Sequence, residues 1–174
     1  MTAELTVRDA TALDAGGCAA IYAHYVEHTT ATFEEVAPDA VEMASRIAAA
    51  QDRHAWLVAE QDGALLGYAY GGPFKARAAY RYSCEVSVYL DVTARGAGLG
   101  RTLYAALLAR MESLGMRMAC GGVTLPNEAS EALHLALGFE PVGTYRRIGW
   151  KHAQWRDVAW FQKPLGGDGP PPSG

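Results

Sequence analysis

The sequence predicts a single α/β domain built on a mixed sheet, with elements in the order βααβββαβαββ. Three observations carry this. Short runs with strand periodicity alternate with longer helical-period runs along the chain. Asp62-Gly63 between two apolar runs is a hairpin signal, and Arg95–Gly100 is a glycine-rich turn that joins a strand to a helix. No repeat or linker interrupts the 174 residues, a length that suits one domain with a sizeable core.

Leu5–Asp9 alternates apolar and polar residues and reads as the first strand. Asp14 is placed to cap a helix that runs to about Glu27, with Cys18, Ile21, Tyr22 and Tyr25 on one stripe. After a polar stretch, His28–Ala37, Pro38 opens a second helix at its first turn that reaches about Ala50. Trp56–Glu60 and Leu65–Gly71 form the hairpin, closed by Gly72-Pro73 and followed by the basic loop Lys75-Ala76-Arg77. Tyr82–Leu90 is a long strand and Leu99–Leu114 an apolar helix stopped by Gly115. Arg117–Thr124 is a strand weakened by Gly121 and Gly122. Pro126-Asn127 starts a helix to Leu137, and Pro141–Ile148 and Trp155–Lys163 are final strands joined through Gly149. The tail from Gly166 to Gly174, nearly all Gly, Pro and Ser, is expected to be disordered, leaving a domain over 1–165.

Half the residues are hydrophobic and a fifth charged, which excludes a disordered chain. Nineteen acidic residues against fifteen basic ones give a net charge of −4, the wrong sign for an electrostatic nucleic-acid binder. No apolar run is long enough to cross a membrane, and Met1-Thr2-Ala3-Glu4 has no signal-peptide character. Cys18, Cys84 and Cys120 are odd in number and widely spaced, which reads as reduced thiols in the cytoplasm.

The glycine turn, Arg95-Gly96-Ala97-Gly98-Leu99-Gly100-Arg101, can aim successive backbone N–H groups and a helix N-terminus at one phosphate or pyrophosphate. It lacks the first Gly and the Lys of an ATP-binding loop. It also stands too late in the chain, and with the wrong spacing, for a dinucleotide fingerprint. A plain tight turn is the alternative.

With its neighbours the turn resembles the acetyl-CoA pyrophosphate loop of the GNAT N-acetyltransferases. Asn127, Ser130, His134, Gly138 and Phe139 follow at the spacings of that superfamily's second pattern, with His in place of its Tyr. A narrower resemblance is to the phosphinothricin and methionine sulfoximine/sulfone acetyltransferases. It rests on Gly67-Tyr68-Ala69, Pro73–Arg77, Cys84–Tyr89, Leu125-Pro126-Asn127, Gly149–His152 and Trp155–Val158. The resemblance implies a mixed, largely antiparallel sheet with helices on both faces, acetyl-CoA as co-substrate, no metal, a small amino-acid-like acceptor and a homodimer; a member that acetylates protein N-termini or lysines, or only binds CoA as a sensor, is the alternative.

An amide forms only from a neutral amine, so a base is useful near pH 7. The resemblance makes Glu85 that base and His134 the acid that protonates the departing thiolate. Asn127, Ser130 and His134 share one helix face by spacing. Val88, Tyr89 and Leu90 are expected along the pantetheine arm, Arg95 to Arg101 at the pyrophosphate, and Asn127 on the pantetheine through its amide. Lys75, Arg77 and Tyr80 suit an acceptor with a carboxylate and a second polar group, though a solvated basic loop has the same composition. Tyr89 and Tyr104 offer hydroxyls to substrate or thioester, and Phe33 and Glu34 are placed near the amine. No covalent enzyme intermediate is required, so the cysteines carry no role.

His24-Tyr25-Val26-Glu27-His28 spells H-x-x-E-H, an inverted zinc-peptidase pattern that could hold a metal from one helix face. It lies at a helix end with no third ligand in sight, so a zinc hydrolase is only the remote alternative and an amphipathic helix end with solvated histidines is the favoured reading.

Overall fold

The structure, a computed structural model, describes residues 4–172. Met1 to Ala3, where most of the leader reading falls, and the last two residues of the expected tail lie outside that range. Seven strands form one sheet: β1 (Thr6–Asp9), β2 (Trp56–Gln61), β3 (Ala64–Pro73), β4 (Ser83–Leu90), β5 (Met118–Thr124), β6 (Glu140–Lys151) and β7 (Gln154–Pro164). Their spatial order is β1-β2-β3-β4-β5-β7-β6. Every neighbouring pair is antiparallel except β4 and β5. Four helices complete the fold: α1 (Ala15–His28), α2 (Ala40–Arg53), α3 (Leu99–Ser113) and α4 (Glu128–Ala136). The element order is the predicted one.

Side-chain alternation along the strands splits the core in two. Cys18, Ile21 and Val26 of α1 and Met43 and Ile47 of α2 bury one face together with Trp56, Val58 and Tyr68. Leu103, Leu107 and Met111 of α3 bury the other with Leu57, Ala69, Cys84 and Val86. Helices thus cover both faces, α1 and α2 lying over the β1–β4 half.

Three local readings are corrected. Asp14 does not cap α1: its carboxylate accepts from Arg8 Nη1 and Nη2, both at 2.9 Å, and from the Thr11 N–H at 2.7 Å. Pro38 precedes α2 rather than opening it, because Asp39 is the cap, accepting from the Glu42 N–H at 2.9 Å. Gly149 is no turn: it pairs with Arg156 inside the last hairpin, which turns at His152 and Ala153, both with positive φ. A Cβ on Gly149 would run into the Phe33 ring. The residue that looked like a chain reversal is therefore a site of close packing. Residues 166–172 form neither helix nor strand, and the Pro170 carbonyl accepts from Arg117 at 3.2 Å.

Candidate active site

The one parallel pairing in the sheet is short. It joins Ser83 to Met118, Cys84 to Ala119 and Glu85 to Cys120, and then β4 and β5 part. The Asp91 N–H donates to Leu66 O at 2.8 Å, so in the β3–β4 ladder the odd-numbered residues of β4 bond to β3 and the even-numbered ones face β5. Beyond the split, the N–H and C=O of Val88 therefore face a crevice with no strand beside them. Leu90 is different. Its carbonyl accepts from the Tyr25 hydroxyl at 2.7 Å, and its N–H donates to the same oxygen at 3.3 Å. The expected pairing of Leu90 with a ligand is thus replaced by a clamp from α1.

The crevice opens into a cavity of about 610 Å³ lined by the glycine turn, Val88, Asn127, Ser130 and His134. Gly96 and Gly98 have φ of 92° and 76°, and Gly98 precedes α3, whose first turn has no side-chain cap. Uncapped N–H groups, the helix dipole, and Arg95 and Arg101 on the same wall form an anion site. The Arg95 guanidinium lies 5.3 Å over the Tyr25 ring, which places one cation at the mouth. Ala97 belongs to this turn but not to the cavity wall, whereas Leu99 and Gly100 are on it. Asn127 caps α4, its Oδ1 accepting from the Ser130 N–H at 3.1 Å, which leaves its amide donor for a ligand.

His134 is buried at the inner end of this cavity. Its Nδ1 lies 2.7 Å from the Ser130 carbonyl and its Nε2 3.0 Å from the hydroxyl of Tyr104, itself buried on α3. Burial pushes the imidazole below its ordinary value. Gly121 makes the arrangement possible: a Cβ there would sit 2.6 Å from His134 Nε2. Tyr89 lies with its ring 5.0 Å from both Tyr22 and Tyr25, more a packing residue than a hydroxyl offered to a ligand.

A second cavity, about 700 Å³, occupies the sheet face beyond α1 and α2, where β5, β7 and β6 carry no helix. Glu85, Lys75 and Tyr80 line it, with Phe74, Cys120 and Trp160. Glu85 is exposed to this space, yet the surrounding walls exclude enough water to push its carboxyl above its ordinary value. Of the predicted acceptor residues, Lys75 and Tyr80 come together here; Arg77 and Phe33 do not line the cavity. Phe33 packs on Gly149, and the Glu34 carboxylate is bound by Arg46 at 2.7 and 2.9 Å and by the Tyr22 hydroxyl. Trp160, Met118 and Gln162 were missed from sequence, as was Tyr25 at the crevice. The period-two run Val158, Trp160, Gln162 along one face of β7 was the available signal for Trp160 and Gln162.

The two cavities lie on either side of the point where β4 and β5 separate, and no described residue lines both. Glu85 and Cys120 line one, while Val86, next to Glu85, and Gly122, two residues beyond Cys120, line the other. All three thiols are buried, with Cys18 and Cys84 pushed up to about 12, so none is a ready nucleophile. On α1, His28 and Glu27 are exposed, 3.7 Å apart. Among the described residues no group of three or more His, Cys, Asp or Glu could hold a metal ion.

Comparison with known proteins agrees with this geometry. Residues 7–160 match the acetyltransferase (GNAT) domain. The phosphinothricin N-acetyltransferase of Alcaligenes faecalis is 44% identical over 162 residues, 92% of this chain and 82% of that protein. The L-methionine sulfoximine/L-methionine sulfone acetyltransferase of Salmonella typhimurium is 32% identical, over 92% of this chain and 95% of its own. The crystal structure of a GNAT superfamily phosphinothricin acetyltransferase from Sinorhizobium meliloti in complex with acetyl-CoA superposes with a TM-score of 0.90. It is 41% identical and covers 95% of this chain and 90% of its own. With a glycine turn on an uncapped helix, a split between two parallel strands and a match to these enzymes over more than nine-tenths of its length, the chain belongs to the GNAT acetyltransferase family.

Proposed function

We propose that the protein transfers the acetyl group of acetyl-CoA to the α-amine of a small amino-acid-like acceptor of the phosphinothricin, methionine sulfoximine or methionine sulfone type. The observation that carries this reading is the parting of β4 and β5 after the Glu85–Cys120 pair, with Glu85 and Cys120 lining one cavity and Val86 and Gly122 the other, so that a thioester and an amine can approach from opposite sides of the sheet. The glycine turn holds the pyrophosphate, Val88 and Asn127 hold the pantetheine arm, and the thioester supplies the activated acyl group. Glu85 accepts a proton from the acceptor's ammonium, and the freed lone pair attacks the carbonyl in a ternary complex. His134 returns a proton to the sulfur. Lys75 pairs with the acceptor's carboxylate, and the wall formed by Phe74, Trp160 and Met118 takes its side chain.

The outer hairpin supports a homodimer. Val142, Tyr145, Ile148, Trp150 and Trp155 are each more than half exposed, and β6 is a long strand at the sheet's edge. A surface of this kind is normally covered, and a second copy of the chain covers it in this reading. The three free cysteines suit a reducing cytoplasm.

The test is release of CoA thiol from acetyl-CoA with L-phosphinothricin, L-methionine sulfoximine, L-methionine sulfone and peptide amines, with and without a chelator. Turnover on one of the first three, insensitive to chelator, is expected. Turnover on peptides alone would overturn the acceptor class. Light scattering should give twice the mass of one chain.

A further inference from the structure

Two hydrogen bonds fix the resting state of His134. A carbonyl oxygen only accepts, so the 2.7 Å contact with Ser130 O places a proton on Nδ1. In a neutral imidazole Nε2 then carries a lone pair, and the hydroxyl of Tyr104, 3.0 Å away, donates to it. The same hydroxyl lies 3.3 Å from the Val86 carbonyl, a second acceptor for its single proton. The resting histidine therefore has no proton on the nitrogen that faces Tyr104 and Gly121. A proton passed from His134 to the sulfur must first reach it.

From this geometry we infer that Tyr104 is a positioning residue whose hydroxyl turns between His134 Nε2 and Val86 O, allowing His134 to take up a proton and hand it on. With Nε2 neutral, the hydroxyl donates to Nε2. When Nε2 gains a proton, its N–H donates to the phenol oxygen, and the hydroxyl turns to Val86 O. Either state keeps the ring N–H groups of His134 and the hydroxyl of Tyr104 paired, so neither leaves a donor of this pair orphaned. The inference rests on the acetyl-transfer reading above. In that reaction the nitrogen of the attacking amine loses an N–H bond as Nε2–H forms. The Nε2–H bond then breaks as S–H forms on the departing thiolate, and His134 is neutral again. Glu85 takes the first proton from the ammonium and His134 the second.

The surroundings suit a transient rather than a standing charge. Phe139 and Phe161 pack on the imidazole, and Gly121 of β5 leaves the space beside Nε2. The titratable groups that act on Tyr104 through space are Cys84 and Glu85 of β4, Glu85 from the other side of the strand; from α4 the imidazole has the Ser130 carbonyl as its partner. Burial raises the Tyr104 phenol well above its ordinary range, so it is a turnstile for hydrogen bonds and not itself an acid.

Nitrogen-detected NMR of the imidazole in the substrate-free enzyme, from neutral pH downward, tests the resting state without reference to any acceptor. The Nδ1–H tautomer is expected at pH 7. An Nε2–H tautomer or a cation there would overturn the inference while leaving the acetyl-transfer reading intact. Tyr104→Phe, which keeps the ring, gives the second arm. It should lower the His134 pKa, lower kcat about tenfold with the KM for acetyl-CoA unchanged, and move the acid limb of the kcat profile. Unchanged kcat and acid limb in a folded Tyr104→Phe enzyme would reject the role for Tyr104. Should that variant fail to fold, the tautomer in the unaltered enzyme decides.

Discussion

The buried ammonium of Lys151, at the end of β6, donates to the backbone carbonyl of Thr32 at 2.8 Å, across 119 positions of sequence. The loop after α1 is held on both flanks: Lys151 on the hairpin side and Arg46 of α2, through Glu34, on the other. Lys151→Met should therefore lose one charge-assisted hydrogen bond and leave the Thr32 carbonyl short of a partner. The expected cost is about 1–3 kcal/mol, or a fall in Tm of about 2–12 °C for a domain of this size, measured by calorimetry.

Acid should attack the same clasp. Hydrogen bonding to Arg46 holds the Glu34 carboxyl below its ordinary value, and Arg8 does the same for Asp14. The unfolded chain then takes up these protons at a higher pH than the folded one. The stability they contribute is complete above the ordinary carboxylate range, near pH 4, and is lost as pH falls through the lower folded values. Glu34→Gln should be less stable at pH 7 and should lose less on going to pH 3. Parallel urea titrations would show the two curves converging; parallel curves would remove Glu34 from the account.

For Glu85 the shift has the opposite sign. Burial raises its carboxyl, so the base form that the proposed mechanism requires is lost at a higher pH than an ordinary Glu would allow. The acid limb of kcat/KM should lie above the usual Glu range. Glu85→Gln should lose that limb together with about 10²–10⁴ of the rate, at unchanged affinity for CoA by calorimetry. A variant of normal rate would mean that solvent removes the proton.

Gly98 separates binding from chemistry. Its φ of 76° strains any residue with a Cβ, yet no atom lies within 4 Å of where that Cβ would stand. Gly98→Ala should cost about 1–2 kcal/mol through backbone strain alone. The KM for acetyl-CoA should rise roughly tenfold, with kcat nearly unchanged, in steady-state assays.

Phe33 and Gly149 form a pair suited to a double-mutant cycle. Gly149→Ala pushes a methyl into the Phe33 ring and should destabilise the hairpin by about 1–3 kcal/mol. In a Phe33→Ala background the ring is gone and the same substitution should cost far less. Additive effects in chemical denaturation would show that the two do not touch in solution.

The parts of the site that were legible in sequence are those whose chemistry is local. The glycine turn, the Asn127–Ser130–His134 spacing and the Asp62-Gly63 hairpin each lie within one element or one turn. Positions defined by juxtaposition were not. Gly121 and Gly122 read as weak strand residues, whereas they make room for His134 and for Trp160. A hairpin turning through His152 and Ala153 carries no Gly to announce it, and the nearby Gly149 drew the turn to the wrong place. The contact of Tyr25 with Leu90 spans 65 positions, beyond the reach of any periodicity.

The parting of β4 and β5 after Glu85 has a mechanical consequence. A seam runs down the sheet with β1 to β4 on one side and β5 to β7 on the other, bridged along that line by three residue pairs. A pantetheine arm bonded to Val88 would stand in for the missing ladder, so that the co-substrate is also a piece of architecture. At one hundred times its dissociation constant a ligand that binds only the folded state adds about 2.7 kcal/mol, here concentrated where the sheet is weakest. Amides flanking the seam should then exchange their hydrogens more slowly in the loaded enzyme than in the empty one. On that binding mode each catalytic cycle would stiffen and release the join between two half-sheets.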